Sequence, residues 1–326
     1  MIQPLSDKLK VSIILFLSIT FFSNNGIAQM QEQMFANEYT NNKCTYETNQ
    51  GRINGKYVSY YKNGIKKAEG EFLNNYRIGK WTIYDSTGKI VVQRLYSDPF
   101  TFKSIVPENS SNVPKYTIKY NKEGYIDYFH IEEKMVHVSK RIWRNISETN
   151  NPILFDNNKL FRFLQKNIWK KNITAFTTDN DEFLKTKEVE SIDTINKKIV
   201  GFKIKEDFFI DNERLVSEIR ILGICPVALD TTTNFTKELY WVYFPEVRKY
   251  LAQEKVSNSS TPSNIKTLDD LFFFRNYSSI IYKESNVYDR KISDYKFGED
   301  IQKEAERIEI DIIELENNSL IYLTKK

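Results

Sequence analysis

Residues 55–72, GKYVSYYKNGIKKAEGEF, return 24 positions later as residues 79–96, GKWTIYDSTGKIVVQRLY. Gly55-Lys56-Tyr57 falls on Gly79-Lys80-Trp81, Tyr60 on Tyr84 and Gly64 on Gly88. Each unit reads as an alternating strand, a turn at Asn63-Gly64 or Thr87-Gly88, and a second strand. Asn-Gly between alternating strands is a strong hairpin signal. A fixed period means units that cannot bury their apolar faces alone and must stack. A weaker copy, YTIKYNKEGYIDYFHI (116–131), keeps Tyr120 and Gly124 at the same spacing. The pattern predicts a β-hairpin repeat module over 40–96, with a weak further copy to 131. A plain β-meander would read in the same way. In either form the segment suits a binding or spacer module better than an enzyme.

The start of the chain bears on its compartment. Lys8 and Lys10 precede the apolar run VSIILFLSITFF (11–22). SNNGIAQ follows, with Gly26 and Ala28 at the −3 and −1 positions of a cleavage site. This is the layout of a secretory signal peptide over 1–28. The apolar run is well short of the roughly 20 residues that span a bilayer. No cysteine follows it closely, the first being Cys44, so a lipid anchor is not expected. The net charge of the 326 residues is +4, and removing 1–28, with two Lys and one Asp, leaves +3. Without clustered Lys/Arg this is no nucleic-acid signature. The remaining length allows two domains with sizeable cores.

Chemistry has little material. The histidines are His130 and His137 and the cysteines Cys44 and Cys225, too few for zinc sites or His-based nucleophilic catalysis. There is no glycine-rich phosphate loop, and no cofactor or metal is expected. Cys225, within RILGICPVAL, reads as a free cysteine on a buried strand rather than as half of a disulfide with Cys44. TDNDEF (178–183) lacks the turn glycine and closing Glu of a calcium loop. It reads as a helix start capped by Thr178 or Asp179.

Beyond the repeats, SDPFTFKSIVPENSSNVP (97–114) has the composition of a linker, which predicts separable halves. In KLFRFLQKNIWKKN (159–172), Leu160, Leu164 and Ile168 share a helical face, with Phe161 and Trp169 beside them. Strand-like runs follow in KIVGFKI, RLVSEIRILGICPVAL and KELYWVYF. PEVRKYLAQEK (245–255) opens as a helix with Pro at its start, and TLDDLFFF (267–274) is a short helix candidate. EDIQKEAERIEIDIIELENN (299–318) places Ile301, Ala305, Ile308, Ile312 and Leu315 on one stripe. Its acidic residues read as a solvated face or as a docking face for a basic partner. The expected class is α+β: an N-terminal β-hairpin repeat module followed by a mixed α+β domain.

Two resemblances sharpen this. The 24-residue units resemble MORN-type repeats in their YwqK-like variant. KRIWRNI (140–146), ITAFTTDNDEF (173–183), IKEDFFID (204–211), RILGICPV (220–227), LYWVYFPEVRKYL (239–251), DDLFFFRNYSSIIYKESNVYDRKISDY (269–295) and EAERIEIDIIELE (304–316) occur in that order. Together they resemble the GldN (PorN) family over about 130–326. The sequence departs from the family pattern after KRIWR, where it reads Ile146-Ser147-Glu148, and at Leu320-Ile321, as a divergent paralogue would.

The resemblance implies a non-enzymatic periplasmic component of the Bacteroidetes type IX secretion and gliding-motility machinery, peripherally associated with the outer membrane. It implies a homo-oligomeric ring with a GldK-like lipoprotein, next to a GldM-like motor protein. The residues suit such a role. Arg275, Tyr277, Tyr282, Lys283, Tyr288, Asp289, Arg290 and Tyr295 lie in one aromatic and Arg-rich stretch with the composition of interface hot spots. They form the candidate partner-binding set; local core is the competing reading of the tyrosines. Two other functions compete: an exported binding module in which the repeats recognise a partner, and a hydrolase using Glu206 and Asp207, for which no nucleophile–base set is present.

Overall fold

The computed structural model describes residues 29–34, 43–49, 52–108, 112–183, 196–256, 262 and 264–325. The expected signal segment, 1–28, lies outside them.

The N-terminal half is one antiparallel sheet of eight strands in chain order. They are β1 (Gln29–Met34), β2 (Lys43–Asn49), β3 (Arg52–Tyr60), β4 (Lys66–Leu73), β5 (Tyr76–Tyr84), β6 (Ile90–Asp98), β7 (Thr101–Val106) and β8 (Asn112–Pro114). The starts of β3 and β5, and of β4 and β6, are separated by the sequence period. The equivalent residues Tyr57 and Trp81 are both buried, with ring centroids 5.8 Å apart. Phe72 closes the group edge-on, 4.8 Å from Trp81. Gly70 makes room for that indole: a Cβ there would come within 2.3 Å of it.

The turns repeat as well. Gly64, Gly88 and Gly124 have φ of 82°, 88° and 91°, a conformation that favours glycine. Each donates its N–H to the carbonyl three residues back, on Tyr61, Asp85 and Asn121. Successive turns are tied together, since the Tyr61 hydroxyl donates to the Tyr84 carbonyl and the Asn63 amide to that of Ser86. The third copy stops at its turn. It forms only the bridge Tyr120–Ile126, and the Tyr120 hydroxyl donates to Asp270 of the C-terminal half at 2.9 Å.

The stretch with linker composition, 97–114, behaves differently from its expectation. It carries β7 and β8, which extend the sheet from β6, because the short alternation TFKSIV can bury Phe102 and Ser104 on one face. Phe100 is buried in the core of the C-terminal half.

That half contains β9 (Val136–Ser147), α1 (Pro152–Phe155), α2 (Lys159–Trp169), β10 (Ala175–Phe176), β11 (Lys197–Asp211), β12 (Val216–Asp230), β13 (Thr236–Glu238), β14 (Trp241–Tyr243), α3 (Phe244–Leu251), α4 (Leu268–Phe273), β15 (Ile280–Glu284) and α5 (Asp300–Leu323). Its antiparallel sheet runs β10-β14-β12-β11-β9-β15, with β13 on β12. The molecule is α+β, as its patterning indicates. Leu160 and Leu164 of α2, Val247 and Leu251 of α3, and Leu271 of α4 bury their faces against Ile204 and Ile224 of this sheet. Thr267 caps α4 in a reciprocal box with Asp270. Trp169 is not part of the α2 face: it stands at the helix end, 87% exposed. TDNDEF gives only a short 3-10 turn, with Thr178 Oγ1 accepting the Asn180 N–H at 3.4 Å. Asp179 instead accepts from the Trp143 indole. Cys44 and Cys225 are free and buried in separate cores.

The final helix joins the two sheets. Ala305, Ile308 and Ile312 pack on Ile142, Phe208 and Ile281 of the C-terminal sheet. Ile310 and Leu320 enter the N-terminal core with Tyr57 and Trp81. Burying one such aliphatic side chain stabilises by about 1.5–3 kcal/mol. The acidic stripe is neither a solvated face nor a free docking face. Glu309 pairs with Arg144, Glu314 with Lys67 and Glu316 with Arg77, while Glu304 and Asp311 hold Arg307. Two apolar stripes occupy opposite sides of the helix, so its acids lie along the seams between them, where basic strand residues reach them.

Candidate assembly surface

The aromatic and arginine-rich stretch of 275–295 begins in the interior. Arg275 follows the end of α4 with φ of 47°, a left-handed conformation uncommon outside glycine. This turns its guanidinium onto Glu206 of β11, with contacts of 2.8 and 3.2 Å. Glu206 is fully buried and is also gripped by Arg144 of β9. Arg144 continues to Glu309 of α5 at 2.7 Å. Two guanidinia and two carboxylates thus form one neutral chain across four segments. Burial acts to raise the Glu206 pKa, but the Arg275 and Arg144 charges outweigh it and hold the carboxyl below its ordinary range. Tyr277 is buried against Phe272. Ser278 is fixed by Asn151, whose side chain bonds both its N–H and its carbonyl.

The chain then surfaces as β15, the edge strand beside β9. Tyr282 is half-buried under Lys203, 4.5 Å from the ring centre. Burial first, then Glu238, raises its hydroxyl pKa. Lys283 lies over Trp143 at 4.3 Å and pairs with Asp289. After β15 the loop turns on one side chain. Asn286 donates to the carbonyls of Glu284 and Arg290 and accepts from the N–H groups of Tyr288 and Arg290. This rigid loop presents Val287, 96% exposed, and Tyr288, 75% exposed. Arg290 sits 4.9 Å over the Tyr288 ring and 5.3 Å over that of Tyr295. The Tyr295 hydroxyl donates to Glu304 of α5. Burial and then the Glu304 charge push its pKa up to about 12. Phe297, further along the chain, is 78% exposed.

The structure therefore divides the candidate set. Tyr277 is core; Arg275 is half-buried and committed to Glu206; Tyr282, Lys283 and Tyr295 are half-buried supports; Tyr288, Asp289 and Arg290 are exposed. Arg275 leaves the partner-binding set because its guanidinium is held by Glu206, and Tyr277 because its ring is buried. Sequence reasoning passed over Val287, which carries no signal until the loop is seen to hold it outward, and Phe297, which is also exposed.

Glu206 and Asp207 have separate arginine partners, Asp207 taking a two-pronged grip from Arg141 at 2.7 and 2.8 Å. As neighbours on a strand they point to opposite faces. A paired-carboxylate mechanism has no common cavity there. Among the described residues no group of three or more His, Cys, Asp or Glu is placed to hold a metal ion.

Two antiparallel sheets clamped on one helix, with an aromatic loop held outward, define an α+β protein. The family model for "Gliding motility associated protein GldN" matches residues 131–320. That is more than half of the chain, and the chain belongs to the GldN family, a component of gliding motility and type IX secretion. The 24-residue units fit hairpin repeats and lie N-terminal to the matched region. The chain is also similar, at 24% identity over 87% of its length, to DNA-directed RNA polymerase subunit beta'' of Bigelowiella natans. It spans 16% of that protein. Among the described residues no helix is long and apolar enough to cross a membrane.

Proposed function

We propose that this chain is a non-enzymatic periplasmic subunit of the type IX secretion and gliding machinery. It assembles in a ring with a GldK-like lipoprotein, next to a GldM-like motor protein, and reaches the outer membrane through that partner. The carrying observation is the exposed loop of Val287, Tyr288 and Arg290, whose backbone Asn286 fixes. Exposed aromatic and Arg side chains on a preorganised loop suit hot-spot contacts, which lose little entropy on binding. The repeat sheet belongs to the body of the subunit, since α5 covers its aromatic face.

The test measures partner binding and melting on Tyr288→Ala and Arg290→Ala. Truncating a desolvated hot-spot residue costs on the order of 2 kcal/mol, about thirtyfold in affinity. Both residues are exposed, so the melting temperature should stay within about a degree. Normal affinity for a GldK-like lipoprotein and for a second copy of the chain would move the contact surface elsewhere.

A further inference from the structure

A cavity of about 130 Å³ lies between the repeat sheet and the GldN domain. Its walls are aromatic, among them Tyr76, Phe102, Tyr116 and Tyr277, and its charged lining is unbalanced. Four cations face it: Arg77, Arg94, Lys115 and Arg275. Two carboxylates do so: Glu309 and Glu316. Every acid is already engaged, Glu316 by Arg77 and Glu309 by Arg144, while Arg275 is engaged by Glu206. Arg94 and Lys115 are left over. Arg94 is 4% exposed, and its Nε has no hydrogen-bond partner. Its guanidinium has only the face of Phe102, 4.1 Å away. Lys115 is half-buried, and desolvation pulls its pKa down. The hydroxyls of Tyr76 and Tyr277, also in the lining, are buried without a partner.

Buried polar groups are normally hydrogen-bonded and buried charges normally paired. Here a buried guanidinium without an ion pair, a half-buried ammonium and two orphan hydroxyls converge on one cavity. We infer that the cavity is a binding site for a small oxyanion, a phosphate or a short carboxylate, held by Arg94 and Lys115 with Tyr76 and Tyr277. The volume is well below the several hundred Å³ of drug-sized sites, which restricts the ligand to a few heavy atoms. The anion bridges β6 of the repeat sheet and Tyr277 of the GldN domain, so it tightens the seam between the halves. None of these residues belongs to the loop patch, and the inference stands apart from the assembly proposal.

The test is calorimetric titration of the purified protein with inorganic phosphate and, separately, with succinate, at constant ionic strength against sodium chloride. At least one oxyanion should saturate a single site per chain and raise the melting temperature. Saturation by phosphate alone selects the tetrahedral ion, and by succinate alone the carboxylate. Arg94→Met and Lys115→Met should each weaken binding tenfold or more. Lys103→Gln, exposed on β7, should bind as the parent does. Neither anion saturating above chloride, or both Met variants retaining full affinity, would overturn the inference. Should those variants fold poorly, hydrogen exchange on the parent protein decides. Phosphate or succinate must slow exchange at 92–96 and 275–279, and its failure to do so while binding overturns the site.

Discussion

Glu206 is fully buried between two guanidinia, and its energetics follow from that. Glu206→Gln leaves Arg144 and Arg275 facing a neutral amide. Breaking a buried ion network in this way costs about 3–5 kcal/mol, to be read as a lowered denaturant midpoint with an unchanged slope. The pH dependence has a definite sign. The folded pKa of Glu206 is depressed, so its contribution is complete above the unfolded value of about 4.3. The contribution is lost as pH falls through the folded pKa. The parent protein should therefore lose stability more steeply than Glu206→Gln on acidification below about pH 4. Equal slopes would remove Glu206 as the cause. Composition groups Arg275, Tyr277 and Tyr288 within one stretch, and the fold separates them. The partner of Arg275 stands 69 positions away, and no local pattern announces a pairing at that range. What was legible is that so many polar tips need partners; for Arg275 the partner is internal, and the Tyr277 hydroxyl is buried with none.

At the scale of elements, periodicity carried most of the information. The 24-residue period reappears as strand starts, and the stripe of Ile308 and Ile312 reappears as the buried side of α5. The second apolar side of α5, Ile310 and Leu320, was hidden because a helix packed on two sheets does not show one clean stripe. β7 was hidden by the prolines around it. Two substitutions probe these elements. Gly70→Ala drives a methyl into the Trp81 indole, and overpacking of this kind costs about 1–3 kcal/mol. Ile310→Ala removes a fully buried side chain between α5 and the repeat sheet, at about 2–5 kcal/mol. Thermal or chemical unfolding measures both, and a change within about 0.5 kcal/mol for either would argue against the packing described.

The linker-like composition of 97–114 predicts separable halves, and the seam predicts the opposite at the scale of the whole molecule. Lys67 and Tyr57 meet Glu314 there, and Arg77 meets Glu316 and Asn317. The Lys67 charge outweighs the effect of burial and holds the Glu314 carboxyl below its ordinary range. The chain should therefore unfold in one calorimetric transition. Deleting 40–96 exposes Ile310 and Leu320 and strips Glu314 of its cation, so the remainder should bind a hydrophobic dye and lose its sharp melt. Two resolved transitions, or a remainder that melts cooperatively, would restore the view of two modules.

The bond between Lys67 and Glu314 closes over 247 residues. Synthesis begins at the N-terminus, so the repeat hairpins leave the ribosome long before the helix that covers them. Local pairing can form each hairpin early, but the aromatic row of Tyr57 and Trp81 stays bare until α5 arrives. Contacts of such long sequence separation slow folding. A polypeptide that ends before residue 310 lacks the side chains that cover Tyr57 and Trp81 and leaves that row bare.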